Sequence, residues 1–438
     1  MFFGASFARR AISGVCNPAE RLHSDEDLVN LTLFVSPSIC LNRIPSVSGT
    51  PGKASKISST KLSNGLTVVT EDASYTSTVT LTYPKAGSSS EGTDEQGAAL
   101  TNKCMNFMSG SGLSTLLINR TIEDKGGFPF STVDRSSAVV GFTVAREHAL
   151  GLVPLLATDC SFEKWDMRDA KAMASQESAV ANESAQIVLT EHLYAAAYGP
   201  QSTAGRPLYG TPCSTDAIHS FRSRAYGLNG AVLAATGVTD HAQFCAEAEG
   251  LLKDSPAGSD SPPPATAYMG GESRVSVPSA GLAHVALGLA STASPVVASV
   301  VAQLLSLAGK ETGVSAFTIP GMVGLYACGS GTLTDAMVAT VKTAPSKDLV
   351  TRAKGLAKAS ALFALDGGSK SLAASMTASV VSSAPFSSPS DVAKMYDAVT
   401  DKQVADAVAA LLKSNPALAA VGDISAVPYH ATVAASLK

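Results

Sequence analysis

A proline-rich stretch near the middle of the chain constrains the fold more than any other feature. From Asp254 to Pro264 it reads Asp-Ser-Pro-Ala-Gly-Ser-Asp-Ser-Pro-Pro-Pro, and three consecutive prolines can join neither a helix nor a sheet ladder. A chain of 438 residues is also too long for one ordinary hydrophobic core. The sequence therefore predicts two domains, residues 57–253 and 271–438, joined by a proline- and serine-rich linker at 254–270.

The two halves repeat each other in sequence. Ala231–Asp240 matches Ala417–Ser425, in each case an alanine-rich run that leads into a glycine, at an offset of roughly 185 residues. Val139–Thr143 similarly matches Met322–Tyr326. These repeats predict a duplicated domain, and a coincidence between alanine-rich strands is the alternative.

Hydrophobic periodicity predicts the same mixture of strands and helices on both sides of the linker. Because strands and helices do not alternate as regular βαβ units, we expect an α+β fold with a mixed, mostly antiparallel sheet in each domain. An Asn64-Gly65 turn predicts a hairpin over Thr60–Thr70. The other predicted strands are Thr76–Tyr83, Phe128–Val133, Ser137–Val144, Ala231–Gly237, Ala283–Leu289, Val314–Thr318 and Met322–Cys328. The predicted helices are Glu95–Met108, Leu113–Asp124, Arg146–Asp159, Trp165–Tyr198, Thr239–Leu252, Ser294–Leu307 and several more from Thr332 onward.

Two burial predictions accompany these elements. The strand Thr76–Tyr83 alternates β-branched and apolar residues, which is typical of a half-buried strand. The single tryptophan, Trp165, is expected to pack in the core.

Composition excludes several classes of protein. The net charge of −4 and the lack of Lys/Arg clusters argue against a nucleic-acid partner. The longest apolar run, Pro295–Gly309, is shorter than the ~20 residues that a bilayer requires. The seven cysteines contain no Cys-x-x-Cys pair, so they predict a reducing compartment rather than a disulfide framework or a zinc knuckle.

The amino-terminal segment, residues 1–56, is predicted to be a mitochondrial presequence or a disordered extension. Met1–Arg10 bears arginine and has no acidic residue, as organellar transit peptides do. Acidic residues at Glu20 and Asp25–Asp27 interrupt this pattern, and the stretch Leu28–Thr70 is again free of acids. The cleavage point is therefore left open, and an extension without targeting value is the alternative.

Several short motifs carry a family resemblance, and they are Leu62–Val69, the helix at Gly97, Leu193–Gly199 with Gly205–Gly210, and Val314–Phe317. In this order, over residues 61–437, the chain resembles the pitrilysin-type peptidases (inverzincins, family M16). Within that family it is similar to the branch of the mitochondrial processing peptidase and the cytochrome bc1 core proteins. The resemblance implies two homologous α+β domains of the LuxS and processing-peptidase type.

Active members of this family carry a His-x-x-Glu-His motif on the helix after the early strand. The histidines bind zinc, and the glutamate activates the metal-bound water. When Gly97 and Met105 are aligned with the family's flanking glycine and methionine, Leu100, Lys103 and Cys104 occupy the three motif positions. The resemblance therefore implies a degenerate zinc site with no catalytic residue, no metal and no cofactor.

The third zinc ligand of the family is a glutamate on a later long helix. By resemblance it would fall near Gln176 or Glu177, and an isolated glutamate there is expected to be a surface charge. Cys104 could bind a metal as a thiolate, but one ligand does not hold a catalytic zinc.

Other candidate sites are less favoured. His241, Cys245 and Glu249 could share a helix face as ligands, but a solvated face with a half-buried cysteine is preferred. The pairs Glu147-His148 and Glu191-His192 are adjacent in sequence and should point to different sides of a helix, so neither predicts an acid/base unit.

The resemblance to the subunits of this branch that lack zinc implies a structural role. A core-protein-type subunit would scaffold mitochondrial ubiquinol–cytochrome c reductase (complex III) on the matrix side of the inner membrane, peripheral to the bilayer. Its implied partners are core protein 1 or a processing peptidase β-like subunit, together with cytochrome b, cytochrome c1 and the Rieske subunit.

Two alternatives to the scaffold function remain. One is a non-catalytic processing peptidase α-type subunit that binds presequences, and the other is a zinc peptidase. The α subunit carries a long glycine-rich loop, whereas the corresponding residues 304–317 contain two glycines, Gly309 and Gly313. The core-protein interpretation is therefore preferred.

Overall fold

The computed structural model describes residues 56–110, 112–157, 160–258, 266–277, 281–330, 333–382 and 388–438. Its strands are β1 (Ile57–Lys61), β2 (Thr67–Glu71), β3 (Thr76–Tyr83), β4 (Phe128–Val133), β5 (Ala138–Ala145), β6 (Val232–Ala235), β7 (Gly271–Ser276), β8 (Ala283–Ala290), β9 (Ser315–Ile319), β10 (Met322–Gly329) and β11 (Ala417–Gly422). The predicted presequence, apart from Lys56, and the centre of the predicted linker, residues 259–265, lie outside the described residues.

The α-helices of the amino-terminal half are α1 (Ala98–Met105), α2 (Thr115–Glu123), α3 (Lys164–Glu183), α4 (Ala185–Tyr198), α5 (Thr215–Ala225) and α6 (His241–Leu251). Those of the carboxy-terminal half are α7 (Pro295–Ala308), α8 (Leu333–Lys342), α9 (Lys347–Leu365), α10 (Ser369–Val381), α11 (Pro389–Asp397), α12 (Asp401–Lys413) and α13 (His430–Leu437). In the described part of the chain, no helix is both long enough and apolar enough to cross a membrane.

The two sheets have one topology. The first has the order β1-β2-β6-β3-β5-β4 and the second the order β7-β11-β8-β10-β9. If β1 is set aside, the five remaining strands of the first sheet have the same spatial order as the five strands of the second. Each sheet has one parallel pair, which is β2 with β6 in the first sheet and β7 with β11 in the second. All other pairs are antiparallel. The predicted α+β class, with two mixed and mostly antiparallel sheets, is confirmed.

Both sequence repeats fall on equivalent strands. The repeat at Ala231 and Ala417 forms β6 and β11, and the repeat at Val139 and Met322 forms β5 and β10. The domain limits 57–253 and 271–438 stay predictions, and each range contains one complete sheet.

A glycine and a phenylalanine face each other at the same place in both sheets. Phe130 on β4 is paired with Gly141 on β5, and Phe317 on β9 is paired with Gly324 on β10. A Cβ on either glycine would lie within 2.6 Å of the facing ring. Each ring therefore occupies the space above its glycine, an arrangement that covers the exposed backbone of a strand glycine.

Each half supplies a helix that packs on the sheet of the other half. Helix α4, from the amino-terminal half, packs on β7, β8 and β11, and helix α10, from the carboxy-terminal half, packs on β2, β3 and β6. These helices occupy equivalent places on the two sheets, since β6, β2 and β3 correspond to β11, β7 and β8.

The exchange of helices explains one wrong prediction. The strand Thr76–Tyr83 was predicted to be half-buried, but every residue of β3 after Thr76 is buried. Helix α10 covers the face that carries the threonines, and the main core covers the other face. Trp165, predicted to pack in the core, is instead 58% exposed on α3.

Other predictions were wrong in detail. The segment predicted as one helix at Arg146–Asp159 forms two 3-10 segments, Arg146–His148 and Leu150–Ala157, and Pro154 inside the second disfavours an α-helix. The tract Trp165–Tyr198 is two helices, α3 and α4, because Ser184 between them has extended backbone angles. Helix α5 and strand β7 were not predicted.

Candidate functional site

Helix α1 begins at a glycine that no other residue could replace without strain. Gly97 has φ of +83°, and a Cβ at this position would lie 2.3 Å from the carbonyl oxygen of Thr211. Met105, the second sequence landmark, is fully buried at the other end of the helix. Both residues used to align the degenerate motif thus have fixed structural roles.

A buried carboxylate caps the start of α1. Glu91, only 3% exposed, accepts hydrogen bonds from the backbone N–H groups of Gly97 at 3.1 Å and Ala99 at 2.8 Å. These donors lack partners inside the helix, and the helix dipole favours a negative charge beside them. Burial nevertheless raises the pKa of Glu91 to about 7, while the two N–H donors and Arg206 oppose that rise.

An ion pair joins α1 to α3 at the degenerate motif. The Lys103 ammonium nitrogen lies 2.7 Å and 2.6 Å from the two carboxylate oxygens of Glu177. The prediction of an isolated surface charge at Glu177 was therefore wrong, because the partner lies 74 residues away in sequence. Gln176, the alternative third-ligand position, is exposed.

The other two motif positions do not suit a metal. The Leu100 side chain is part of the amino-terminal core and is 1% exposed. Burial raises the pKa of the Cys104 thiol to about 11, although Lys103 beside it favours the thiolate. Since metals bind the thiolate, this burial makes Cys104 a weak metal ligand.

A second charged cluster lies between α4 and the β4–β5 turn. The Arg135 guanidinium contacts the Glu191 carboxylate at 2.8 Å and stacks over the Tyr194 ring at 3.8 Å. The other Glu191 oxygen accepts a hydrogen bond from the Leu208 N–H at 2.7 Å. Burial raises the pKa of the nearby Tyr209 to about 12, so its phenol stays protonated. The cluster holds the family-like segment around Leu193–Gly210 in place.

Sequence reasoning missed Glu91 and the role of Arg206. The Arg206 side chain is buried, and its Nη1 donates a hydrogen bond to the Glu91 carbonyl oxygen. Arg206 belongs to the family-like motif Gly205–Gly210, which was the available signal. Nothing in the sequence around Glu91 distinguishes it from neighbouring acids such as Glu95.

The His241 group holds the first hairpin to helix α6. The two ring nitrogens of His241 lie 2.8 Å from the hydroxyl oxygens of Thr60 and Thr70. Cys245 is buried 3.5 Å from the same ring, and Glu249 accepts a hydrogen bond from the hairpin turn. The prediction of a solvated face with a half-buried cysteine was wrong for Cys245, which is buried, while His241 and Glu249 are partly exposed and hydrogen-bond to the hairpin.

The two adjacent acid–histidine pairs behave differently. Glu191 and His192 point to different partners, as predicted, because Glu191 binds Arg135 and the His192 Nδ1 lies 2.8 Å from the Ser273 hydroxyl. Glu147 and His148 were expected to point apart on a helix, but that segment is not an α-helix and their side chains approach to 3.5 Å.

The residues at the degenerate motif do not fit a catalytic zinc. They supply a buried leucine, an ammonium group that is already bound to Glu177 and a thiol whose pKa is raised by burial. Over the part of the chain that the structure describes, no group of three or more His, Cys, Asp or Glu side chains could hold a metal ion. The arrangement joins helices α1 and α3 by charge.

Comparison with known proteins relates part of the chain to a known family. Residues 67–212 match the insulinase family (peptidase family M16). The mitochondrial-processing peptidase subunit alpha of Solanum tuberosum is 29% identical over 225 residues, which is 49% of this chain and 44% of that protein. Human cytochrome b-c1 complex subunit 2 is 29% identical over 182 residues, which is 41% of this chain and 39% of that protein. The chain thus spans less than half the length of these curated relatives.

A solved structure has the same fold. A chain of complex III2 from Candida albicans, with Inz-5 bound, superposes with a TM-score of 0.73 and 19% identity, covering 87% of this chain and 99% of that one. The predicted two-domain M16 fold is confirmed. Residues 67–212 thus match the insulinase, or M16, peptidase family, and the chain is similar to cytochrome b-c1 complex subunit 2 and to the processing peptidase alpha subunit.

Proposed function

We propose that this chain is a non-catalytic scaffold subunit of mitochondrial ubiquinol–cytochrome c reductase, in the role of core protein 2. The observation that carries the proposal is the Lys103–Glu177 ion pair at the degenerate motif. An ammonium group held by both carboxylate oxygens would repel a divalent cation from the same carboxylate. The residues that perform peptide hydrolysis in active family members have no counterpart here. The helix that would carry them is present, with Gly97 and Met105 at its two ends.

In this role the chain lies on the matrix side of the inner membrane, peripheral to the bilayer. It pairs with core protein 1 or a processing peptidase β-like subunit and supports cytochrome b, cytochrome c1 and the Rieske subunit. The similarity to human subunit 2 and the fold shared with a complex III chain support this assignment.

Purification of the native assembly tests the scaffold function. Complex III, solubilised in detergent and purified through a redox subunit, is expected to contain this chain in a 1:1 ratio to cytochrome c1, as measured by quantitative mass spectrometry. Intact complex III that lacks the chain would rule the function out. Mass determination of the same subunit gives its mature amino terminus and tests the presequence prediction.

Metal analysis tests the non-catalytic part of the proposal. The purified wild-type chain is expected to contain no stoichiometric zinc. The variant Leu100→His with Lys103→Glu and Cys104→His should bind zinc through the new ligands and Glu177, and adding Glu177→Gln should remove that zinc. Peptide cleavage is still not expected from the triple variant, because the glycine-rich substrate loop is short. Strong cleavage would show that the site is closer to an intact peptidase than we propose.

A processing peptidase α-type function is the second candidate, and the match to the potato alpha subunit over 49% of the chain favours it. In that case the chain should co-purify with a zinc-bearing β subunit. Presequence cleavage by that pair should stop when the chain is removed and return when it is added back.

A further inference from the structure

Lys370, in the first turn of helix α10, lies against strand β4 of the other half. Its ammonium nitrogen is 3.9 Å from the centre of the Phe130 ring. The hydroxyl of Ser369, the residue before it, contacts the hydroxyls of Thr78 and Thr76 on β3. Lys370 therefore lies where α10 meets the amino-terminal sheet, and its side chain remains exposed to solvent on its other side.

The ammonium group of Lys370 has no carboxylate partner among the described residues. Lys103, Lys358 and Lys394 each form an ion pair with a glutamate or an aspartate. In the described part of the chain, Lys370 forms neither an ion pair nor a hydrogen bond through its ammonium group. The Phe130 ring attracts the cation weakly, but it also excludes water from one side. Burial lowers the pKa of this ammonium group below that of an ordinary lysine.

The start of α10 also disfavours a positive charge. The residue at its amino end, Gly368, provides no side-chain cap, and the first turn contains no acidic residue. The unpaired N–H groups of a helix amino end make it positive, so a cation in this turn is disfavoured. Lys402 is likewise the second residue of its helix, α12, but that helix has a capping box and Asp401 in its first turn. Lys402 is exposed and provides a comparison within the same chain.

The ring, the helix end and the lack of a counter-ion all favour the uncharged amine, which is the nucleophilic form of lysine. Among the described residues, no carboxylate or imidazole bonds to this amine to act as a general base. An electrophile for Lys370 must therefore be activated before it arrives. A thioester meets this condition because a thiolate leaves readily, whereas an ester or an amide needs an acid or a base at the site.

We propose that Lys370 is a site of N-acylation by acyl thioesters. The uncharged amine attacks the thioester carbonyl carbon, a C–N bond forms and the C–S bond breaks. The sulfur leaves as a thiolate and takes up the proton that the nitrogen releases, so the products are an acyl-lysine and a free thiol. Because the acyl-lysine is neutral, the modification ends the contact between a cation and the Phe130 ring.

Competition between Lys370 and Lys402 in the full-length chain tests this reactivity. The chain is incubated briefly with acetyl-coenzyme A at about pH 8, and the remaining amines are then labelled with deuterated acetic anhydride after unfolding. Peptide mass spectrometry measures the acetylated fraction at each lysine. Lys370 should react at least about threefold faster than Lys402 in the folded chain, and its rate should level off at a lower pH. When acetyl-coenzyme A is added to the chain unfolded in urea, the two rates should agree within a factor of about two.

Three controls make the outcomes decisive. A folded chain in which Lys370 reacts no faster than Lys402 overturns the proposal. A rate difference that persists in urea also overturns it, because the local sequence rather than the fold would then cause it. The variant Lys370→Arg keeps a cation over the ring and should lose this signal while Lys402 reacts as before. The experiment uses the isolated chain, so its result does not depend on whether the chain enters complex III.

Discussion

The exchanged helices α4 and α10 occupy equivalent places on the two sheets but contact them through different chemistry. Leu193, Ala196 and Ala197 of α4 pack on alanines of β8 and β11, in a cluster of buried apolar side chains. Helix α10 instead meets threonines of β3, and the Ser369 hydroxyl lies 2.8 Å from that of Thr78. Its apolar contact is a small cluster around Ala373 and Met376.

This difference bears on how firmly each helix is held. Apolar contacts are non-directional and scale with the area removed from water, whereas a hydroxyl pair contributes little net free energy and depends on geometry. Helix α10 also follows Gly367-Gly368, and Gly368 has φ of +92°, while α4 follows α3 after one intervening residue. The same topology thus gives one firmly packed helix, α4, and one weakly packed helix, α10.

The largest expected effect on stability comes from helix α4, which contacts the other sheet through apolar side chains. Leu193 is fully buried, and its side chain lies over Gly288. Leu193→Ala should lower the free energy of unfolding by about 3–4 kcal/mol, since it removes buried methyl groups and leaves a cavity. Urea denaturation measures the loss. Met376→Ala in α10 should cost about 2 kcal/mol, and the exposed control Leu356→Ala less than about 0.5 kcal/mol. A larger loss for Met376→Ala than for Leu193→Ala would reverse the comparison.

The caps of two equivalent helices should respond differently to pH. The start of α1 is capped by Glu91, whereas the equivalent helix α7 is capped by the neutral Ser294 hydroxyl. Because burial raises the pKa of Glu91 from 4.5 to about 7, the folded state holds this proton more tightly than the unfolded state. The free energy of unfolding should therefore fall as the pH rises from about 4.5 to about 7, by about 3 kcal/mol in total.

Urea unfolding at intervals between pH 4.5 and 8 measures this slope. Glu91→Gln should remove the fall in stability that Glu91 causes, because the amide does not titrate in that range. Ser294→Ala should lower stability without changing the pH slope. A Glu91→Gln variant with the wild-type slope would show that another group is responsible.

The repeated glycine–phenylalanine pairs should show coupling of the same sign in both halves. Gly324→Ala brings a methyl group against the Phe317 ring and should cost about 2 kcal/mol. The double variant with Phe317→Ala should recover most of that loss. Gly141→Ala with Phe130→Ala should recover less, because a Cβ at Gly141 would also lie 2.9 Å from the Val79 carbonyl oxygen. Double-mutant cycles by urea denaturation measure the coupling. Coupling in one half alone would show that the phenylalanine ring stabilises its glycine in that half only.

Local sequence predicted the elements whose form is set by their own residues. The Asn64-Gly65 turn, the strand Thr76–Tyr83 and the hairpin of β4 and β5 follow from turn chemistry and periodicity. The burial of both faces of β3 could not be predicted, because the covering helix lies about 290 residues later in the chain. Exposure of Trp165 is likewise a tertiary property.

The candidate site was predicted in position but not in chemistry. The resemblance placed Leu100, Lys103 and Cys104 on one helix, and α1 contains all three residues. It could not show that Lys103 and Glu177 meet, since that contact depends on how α1 packs on α3. Nor could it show that Glu91 is buried, because the segment before α1 has no regular pattern.

The smallest expected effect on stability comes from the polar contact between helix α10 and strand β3. Ser369→Ala removes the hydroxyl contacts with Thr78 and Thr76, at 2.8 Å and 3.3 Å, and should lower stability by about 1 kcal/mol. Because these contacts join α10 to a sheet of the other half, the loss should be local, with faster amide exchange along α10 and unchanged exchange along α4. Ser379→Ala is the matched control, since that hydroxyl bonds to the Ser375 carbonyl within α10 itself. Equal acceleration by both variants, or acceleration that extends to α4, would mean that the Ser369 contacts do not specifically fasten α10 to the amino-terminal sheet.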